Sequence, residues 1–521
     1  MLHRQWRSVA ARNITVIRCF KKLMSSTRND GFPSNTHTKA ACADSNRRIA
    51  YVDVIIPVHN VSETIVETVN SAMHQTVPPH LCSSSLDIDV VVCCHDDGSN
   101  DDSWSLLCQL ERTCAERSEG CENESKRIRT RLLISSSDDG VARGAGYARN
   151  RAASLRPAVK WPCDLYFLCL LDSDDVMHET RVAEQVHHML SLPESDRDRT
   201  ILGCTFDRDP PDSTWHYAEW ANGLTDERLM LERYREVTVL QPTWMMTKAR
   251  FQSLGGYVEA PHPNDTIHDI SSWMKDPLYS NGKLRMIHYA YDTPQSLRLA
   301  EDLRLFHSHL YSGGLLRLHR TKTPLVTYRH RAGMSQSSQT PRKLLLHLRV
   351  LAFETAVLRC NWLGLFVVWG AGRDGKDFVK ALSEDTRRRV ACFVDVDEKK
   401  IDKGYYVNKE IDVRIPIVHF SKLAKDCGRA DRESLFGRVG KQRIVGKLDQ
   451  EMKEGNRNEN DTKSPPPSKK RRLDPTTDLD LSALPSLPVV VCVAMYRTNG
   501  ALEANVASIG RTEGKDLWHF S

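Results

Sequence analysis

No stretch of this 521-residue chain approaches the ~20 consecutive apolar residues that a membrane-crossing helix needs, so no membrane span is expected. A secretory signal core is missing too. Met1 to Arg28 carries seven basic residues and no acidic one, without the apolar run of a secretory leader. The stretch resembles a mitochondrial presequence, or is simply a basic leader. A large charge of one sign is absent: 73 Lys and Arg against 67 Asp and Glu leave a net +6. That balance gives no general case for a nucleic-acid partner. The 15 cysteines are odd in number and form no CxxC pair, which argues against a disulfide framework and against zinc. Cys93, Cys94, Cys169, Cys392 and Cys492 lie inside apolar runs, so reduced, buried thiols are expected. The expected setting is intracellular, soluble and cytoplasmic, with mitochondrial or nuclear placement as alternatives. What remains, 40% hydrophobic and 27% charged, is ordinary for a globular chain of two or three domains.

The most informative stretch that is present runs Leu168-Cys169-Leu170-Leu171-Asp172-Ser173-Asp174-Asp175. Its apolar half does not alternate, which predicts a buried parallel strand. In open α/β sheets ligands gather at the carboxyl ends of strands. The three carboxylates therefore stand where a ligand would be, with Asp172 and Asp174 on one side. Crowded carboxylates repel, and a hard cation such as Mg²⁺ or Mn²⁺ would keep them ionised. Alone, the same acids would read as turn formers or helix caps.

Similar signals precede this one. Val52 to Val58 predicts a first buried strand, and Asn60 with Glu63 a capping box for a helix carrying Ile65, Val69, Ala72 and Met73 on one face. Ile88 to Cys94 predicts a second strand, running into His95-Asp96-Asp97-Gly98-Ser99-Asn100-Asp101. A helix from Trp104 to about Arg117 follows, then a loop over Ser118 to Arg129 and a short strand at Leu132 to Ile134. Gly140 to Asn150 opens another helix, whose small residues, N-terminus and arginines suit an anion. A helix from about Glu179 to Leu190 follows the acidic stretch. Strand and helix alternate, which predicts an α/β fold with a mostly parallel sheet.

Taken in order, "IIPVHN", "DDGSNDDS", "GYARNRAA", "LDSDD", "GGY" at Gly255 to Tyr257, "EDLRLF" from Glu301 and "LVTYRHR" from Leu325 resemble glycosyltransferase family 2. The resemblance covers roughly Tyr51 to Ser338. It implies a GT-A fold and an inverting, metal-dependent transfer of a sugar from a UDP-sugar to an acceptor hydroxyl. By that resemblance the donor is UDP-N-acetylglucosamine and the acceptor a galactose or other glycan hydroxyl. Pro57, Asp96 and Asp97 match the family's uridine-holding residues, and Arg149 and Asn150 its nucleotide-side "ARN". Asp172 and Asp174 match the DxD motif, with Asp174 on an Mn²⁺ or Mg²⁺ ion. Asp302 matches the catalytic base, and His330 and Arg331 the residues near the leaving diphosphate. The chemistry fits: one carboxylate base and one metal suffice when the leaving group is a diphosphate. Without these motifs Asp302 would read as a helix N-terminal acid. One departure from the family pattern is the span Val258 to Ala300 between "GGY" and "ED". It reads as an insertion or lid and loosens the assignment of Asp302. Trp215, Trp220 and Trp244 could stack on a sugar but fit core positions better.

Downstream, Lys343 to Arg359 predicts a connecting helix with solvated basic residues. Leu365 to Trp369 ends in Gly370-Ala371-Gly372-Arg373-Asp374-Gly375, and a strand over Val390 to Val394 ends at Asp395. That is the G-x-G-x-x-G fingerprint with an acid about 20 residues on. Gly370, Gly372, Gly375 and Asp395 are thus a candidate second nucleotide site. A structural or regulatory Rossmann-like module without NAD chemistry is the favoured reading. Cys427 to about Pro488 is too polar to bury a core. It contains Lys469-Lys470-Arg471-Arg472, a nuclear-import-like run. The strand at Val489 to Val493 is expected to rejoin the C-terminal sheet.

The expected organisation is a basic leader (1–49), a GT-A domain (50–341, with an insertion at 258–300), a connecting helix (342–362) and a Rossmann-like module (363–521) interrupted at 427–487. The competing functions are a non-catalytic nucleotide-sugar binder and an NAD-dependent oxidoreductase acting through the second module.

Overall fold

A computed structural model describes residues 48–119, 127–137, 139–157, 165–260, 296–331, 340–424, 481–494 and 500–521. The basic leader up to residue 47, the centre of the 258–300 span, most of 427–487 and the run Lys469–Arg472 lie outside the described residues.

The first strands follow the apolar runs. β1 (Arg48–Val58) leads to α1 (Ile65–Met73), β2 (Leu86–Asp96), α2 (Ser103–Glu119), β3 (Ile128–Ser136), α3 (Ala145–Ala152) and β4 (Tyr166–Leu170). β1 pairs in parallel with β2 and β4, and β2 with β3. Both faces of these strands are buried, which is why their sequences do not alternate. Val54, Ile56, Val90 and Val92 meet α1 and α2 on one face, while Ile55, Val91 and Cys93 meet α3 on the other. β3 is longer than Leu132 to Ile134, and α2 and β3 take both ends of the expected loop.

After β5 (Val176–Met177) come α4 (Arg181–Ser191), β6 (Thr200–Cys204), β7 (Phe206–Asp209), α5 (Trp215–Gly223), β8 (Met245–Thr247) and α6 (Lys248–Leu254). α7 (Glu301–Tyr311), β9 (Leu315–His319) and β10 (Val326–Arg329) complete this part. The main sheet has seven strands in the order β3-β2-β1-β4-β8-β6-β9. It is parallel except for β8, which runs against β4 and β6. A small sheet, β5-β10-β7, stands beside it.

α8 (Arg342–Phe353) leads to a second sheet of six strands. Its elements are β11 (Phe366–Trp369), α9 (Arg373–Ala381), β12 (Val390–Asp395), β13 (Tyr405–Asn408), β14 (Val413–His419), β15 (Val489–Val491), α10 (Ala501–Ser508) and β16 (Leu517–His519). The order is β13-β14-β12-β11-β15-β16, with only β13 antiparallel to its neighbour. β15 rejoins the sheet beside β11, as its apolar sequence predicts.

Four local expectations are corrected. Asn60 caps nothing: helix α1 starts after Thr64, which makes no side-chain cap bond. Asn60 instead takes a left-handed backbone (φ 52°), receives the Asn100 amide and donates its own amide to Ser99 Oγ. The basic residues of α8 are not all solvated, since Arg349 donates to the Arg235 carbonyl and lies against the Phe520 ring. The polar stretch gives way to structure before residue 487, because 481–486 form a 3₁₀ turn that buries Leu484. Trp244 is core, as the composition argument favours, but Trp215 is 49% exposed and Trp220 donates to Glu232.

Candidate active site

The C-terminal ends of β2 and β4, which flank β1, carry the first acids. At the end of β2, Asp96 accepts the Ser99 amide and Asp97 accepts the amides of Arg143 and Gly144 at 2.7 and 2.6 Å. These bonds fix the "DDGSN" turn and the loop before α3. Gly98 (φ +70°) is needed there, since a Cβ would lie 2.7 Å from the Gly140 carbonyl. Asp96 and Asp97 each keep one buried oxygen with no partner among the described residues. Burial pushes the Asp97 carboxyl up, against the pull of the two amides. Pro57 is buried one residue before the end of β1, opposite His95 in register.

The acidic turn after β4 is held from α1: Thr64 and Thr68 both donate to the Ser173 carbonyl at 3.0 Å. Asp172 and Asp174 are partly exposed, at 24% and 26%. Asp175 is buried, accepts the Arg329 amide at 2.9 Å and keeps its second oxygen without a partner among the described residues. Burial raises the Asp174 carboxyl, and the Asp172 charge adds to it. Asp175 is raised well above the ordinary range by burial and by both neighbours. Carboxylates raised by one another are a setting that a cation relieves. Among the described residues, no group of three or more His, Cys, Asp or Glu is arranged to hold a metal.

α3 and α7 complete the cluster. Arg149 on α3 donates to Asp172 Oδ1 at 2.6 Å and to Glu301 Oε1 at 2.7 Å. Beside Glu301, at the first turn of α7, stands Asp302, which accepts the Leu303 amide at 2.7 Å. Its carboxyl is pushed up to about 7, by burial first and by Glu301 second, while the Leu303 amide and Arg149 work in the opposite sense. Arg331 Nε lies 4.0 Å from Asp174 Oδ2. His330 donates its amide to the Asp209 carbonyl at 2.8 Å, next to Arg331 on the same strand end.

Most of the residues singled out from the sequence therefore come together. Asn150 serves differently: its side chain bonds both backbone groups of Tyr257 and the Glu259 carboxylate, so it builds the wall behind Arg149. Two participants were missed. Glu301 precedes Asp302 in the "ED" pair and could have been noticed there. Arg329 is the other. It pairs with Glu67 at 2.7 Å and binds the acidic turn; it stands in the "LVTYRHR" stretch, from which only His330 and Arg331 were singled out.

Beside the end of β3, a cavity of about 460 Å³ is lined by His95, Ser135, Ser137, Arg143, Tyr147 and Arg151, among others. Both arginines stack on Tyr147 and both already have carboxylate partners, Asp139 and Glu259. Burial lowers His95 to about 4, so its imidazole is neutral.

In the second sheet the glycines sort by role. Gly370 (φ +109°) makes the turn, Gly375 packs so closely that a Cβ would meet the Gly370 carbonyl at 1.9 Å, and Gly372 faces open space. Asp395 is already engaged. It accepts the amides of Ala371, Val396 and Asp397 and the Lys400 ammonium.

Residues 53–254 match the family model described as glycosyl transferase family 2. The chain carries a family 2 glycosyltransferase domain. The match starts in β1 and ends with α6. It thus includes Asp96, Asp97, Arg149, Asp172 and Asp174 but stops before Glu301 and Asp302. A curated relative, the UDP-Glc:alpha-D-GlcNAc-diphosphoundecaprenol beta-1,3-glucosyltransferase WfaP of Escherichia coli, is 28% identical over 138 residues. That span is 26% of this chain and 41% of the relative, so the chain matches less than half the relative's length. Among solved structures, S. aureus TarS 1-349 in complex with UDP-GlcNAc aligns at 14% identity. The alignment covers 65% of this chain and 84% of that one, with a TM-score of 0.37. The mannosyltransferase PcManGT of Pyrobaculum calidifontis, in complex with GDP-Man and Mn²⁺, aligns at 14% identity over 62% and 67% of the two chains, with a TM-score of 0.33. Cys93, Cys94, Cys169, Cys392 and Cys492 are buried, as their apolar runs predict, and each is free of a disulfide bond. No helix among the described residues is long and apolar enough to cross a membrane.

Proposed function

We propose that this chain is an inverting glycosyltransferase of GT-A type that moves a sugar from a UDP-sugar to an acceptor hydroxyl. One observation carries the reading. Elements more than a hundred residues apart bring the DxD turn and Glu301, the neighbour of the raised Asp302 carboxyl, to the two ends of one arginine. N-acetylglucosamine as the donor sugar, and a galactose hydroxyl as acceptor, are taken from the family resemblance alone.

In this reading Pro57, Asp96 and Asp97 hold the uridine, the unpartnered oxygens of the two acids accepting its N–H and O–H groups. Asp302 takes the proton from the acceptor hydroxyl as that oxygen attacks C1 from the face opposite the nucleotide, so the configuration inverts. His330 and Arg331 stand at the diphosphate end, where the Arg331 charge faces Asp174. The donor set fits a divalent ion of the Mg²⁺ or Mn²⁺ kind. Such ions use one or two carboxylates and share the rest of their shell with water and substrate phosphates. Asp174 and Asp172 would hold it, and when bound it would stabilise charge on the leaving diphosphate.

UDP titrated calorimetrically with Mn²⁺ or Mg²⁺ tests the nucleotide site. Affinity should fall about tenfold or more with chelator and in Asp174→Ala, since an uncompensated diphosphate would then face Asp172 and Asp175. Mn²⁺ should also raise the melting temperature of wild type but not of Asp174→Ala. Chelator-insensitive UDP binding would remove the metal from the account.

We take residues 50–341 as the catalytic domain, 342–362 as the connection and 363–521 as a Rossmann-like module with a structural or regulatory role. Its support is the strand order reversing at β11, with the glycine loop at that point. In a dinucleotide site the acid after the second strand binds ribose. Here Asp395 instead ties down the loop. NAD(H) titrated into the protein should therefore give no saturable heat. A saturable isotherm abolished by Gly372→Asp would restore the oxidoreductase reading.

A further inference from the structure

We infer that Arg149 is a positioning residue of the transfer step, a buried cation that clamps the base-bearing helix α7 to the acidic turn of the donor side. The inference rests on the proposed transferase function and assigns its internal geometry.

The clamp is built, not incidental. The Arg149 side chain is 4% exposed and that of Glu301 9%, so neither can swing into solvent without opening the site. One nitrogen of the fork reaches Asp172 and the other Glu301. The guanidinium carbon lies 5.5 Å from the centre of the Tyr257 ring. Tyr257 is itself fixed, because Asn150, the next residue of α3, bonds both its amide and its carbonyl. α3 approaches α7 through Gly146, where a Cβ would sit 3.2 Å from Tyr257 and 3.3 Å from Glu301. Burial disfavours the charge on Arg149, but Asp172, Tyr257 and Glu301 outweigh it and hold the group protonated.

The consequence falls on Asp302. Glu301 and Asp172 are both engaged by Arg149, while Asp302, one residue along, forms no ion pair among the described residues and accepts the Leu303 amide instead. The groups whose charge reaches Asp302 are Glu301 and Glu236, which raise it, and Arg149, which lowers it, with Tyr217 and Tyr257 nearby. Arg149 thus sets the base's position through Glu301 and moderates its proton affinity. A lysine has one point charge and cannot bridge two carboxylates as the planar fork does.

The test is steady-state UDP release with pH profiles for wild type, Arg149→Lys, Arg149→Met, Glu301→Gln and the double variant Arg149→Met/Glu301→Gln. Arg149→Lys should lose about 10²-fold in kcat with little change in donor KM, as expected for a displaced reacting group. Arg149→Met should lose at least as much and move the acid limb upward by about one pH unit, because a nearby positive charge is gone. The double variant, which no longer buries an unpaired Glu301 carboxylate, should regain about tenfold over Arg149→Met and bring the limb back down. Full activity in Arg149→Lys, or losses that leave the pH profile unmoved and follow melting temperature alone, would overturn the positioning role. A wild type that releases UDP from no donor contradicts the transferase reading, and this inference with it.

Discussion

Asp302→Asn lowers turnover by about 10²- to 10⁴-fold, the range for loss of a general base, and leaves UDP affinity within about threefold. Asparagine keeps the shape and can still accept the Leu303 amide, so α7 should start as before. What is lost is the proton acceptor. The family match ends at residue 254, so this assignment stands on geometry and on the "ED" resemblance. The sign of the pH dependence follows. Asp302 must be ionised to act, and its carboxyl is raised to about 7, so kcat/KM should climb as pH rises through neutrality and flatten above it. The Asn variant should lack that limb. Unchanged turnover in Asp302→Asn would remove Asp302 from the reaction and turn attention to Glu301.

How much of this was legible in the chain differs from element to element. The strands β1, β2 and β4 were, because strands buried on both faces must be apolar throughout. The acids at their ends were legible for the same reason: apolar runs stop abruptly in Asp96 and Asp172. The reversed strand β8 was not, because three residues, Met245 to Thr247, carry no direction. The role of Asn60 was misread because a helix cap and a turn lock use the same side chain, and only the left-handed backbone tells them apart. The Arg149–Glu301 pair joins residues 152 apart, and no local pattern encodes such a pairing. Arg329 shows the same limit, since its partners Glu67 and Asp175 come from two other elements.

Asp53→Ala destabilises the protein by about 3–5 kcal/mol, the cost of breaking a buried ion pair from one side. Asp53 lies fully buried in the middle of β1, a carboxylate inside an otherwise apolar strand. Arg156 reaches its Oδ1 at 3.1 Å, and Lys248 and the Tyr166 hydroxyl reach Oδ2 at 3.0 and 2.6 Å. Arg156 keeps a second partner in Asp89 at 2.6 Å, but Lys248 and Tyr166 lose their shared acceptor. The network joins β1, β4, α6 and the segment after α3. Denaturant unfolding should show the midpoint falling with little change in slope. Below the transition, UDP affinity should be close to wild type, because Asp53 is four residues short of Pro57 and belongs to the scaffold. A shift below about 1 kcal/mol would mean that water replaces Asp53 at little cost.

The most direct measurement is release of UDP from a panel of UDP-sugars by the wild-type protein, with Mn²⁺ and with chelator, in the absence of acceptor. Slow hydrolysis of one donor, with N-acetylglucosamine as the expected sugar and loss of activity in chelator, is the predicted result. No release from any donor, together with no detectable UDP binding, would contradict the account: the family 2 domain would then be a scaffold without its chemistry.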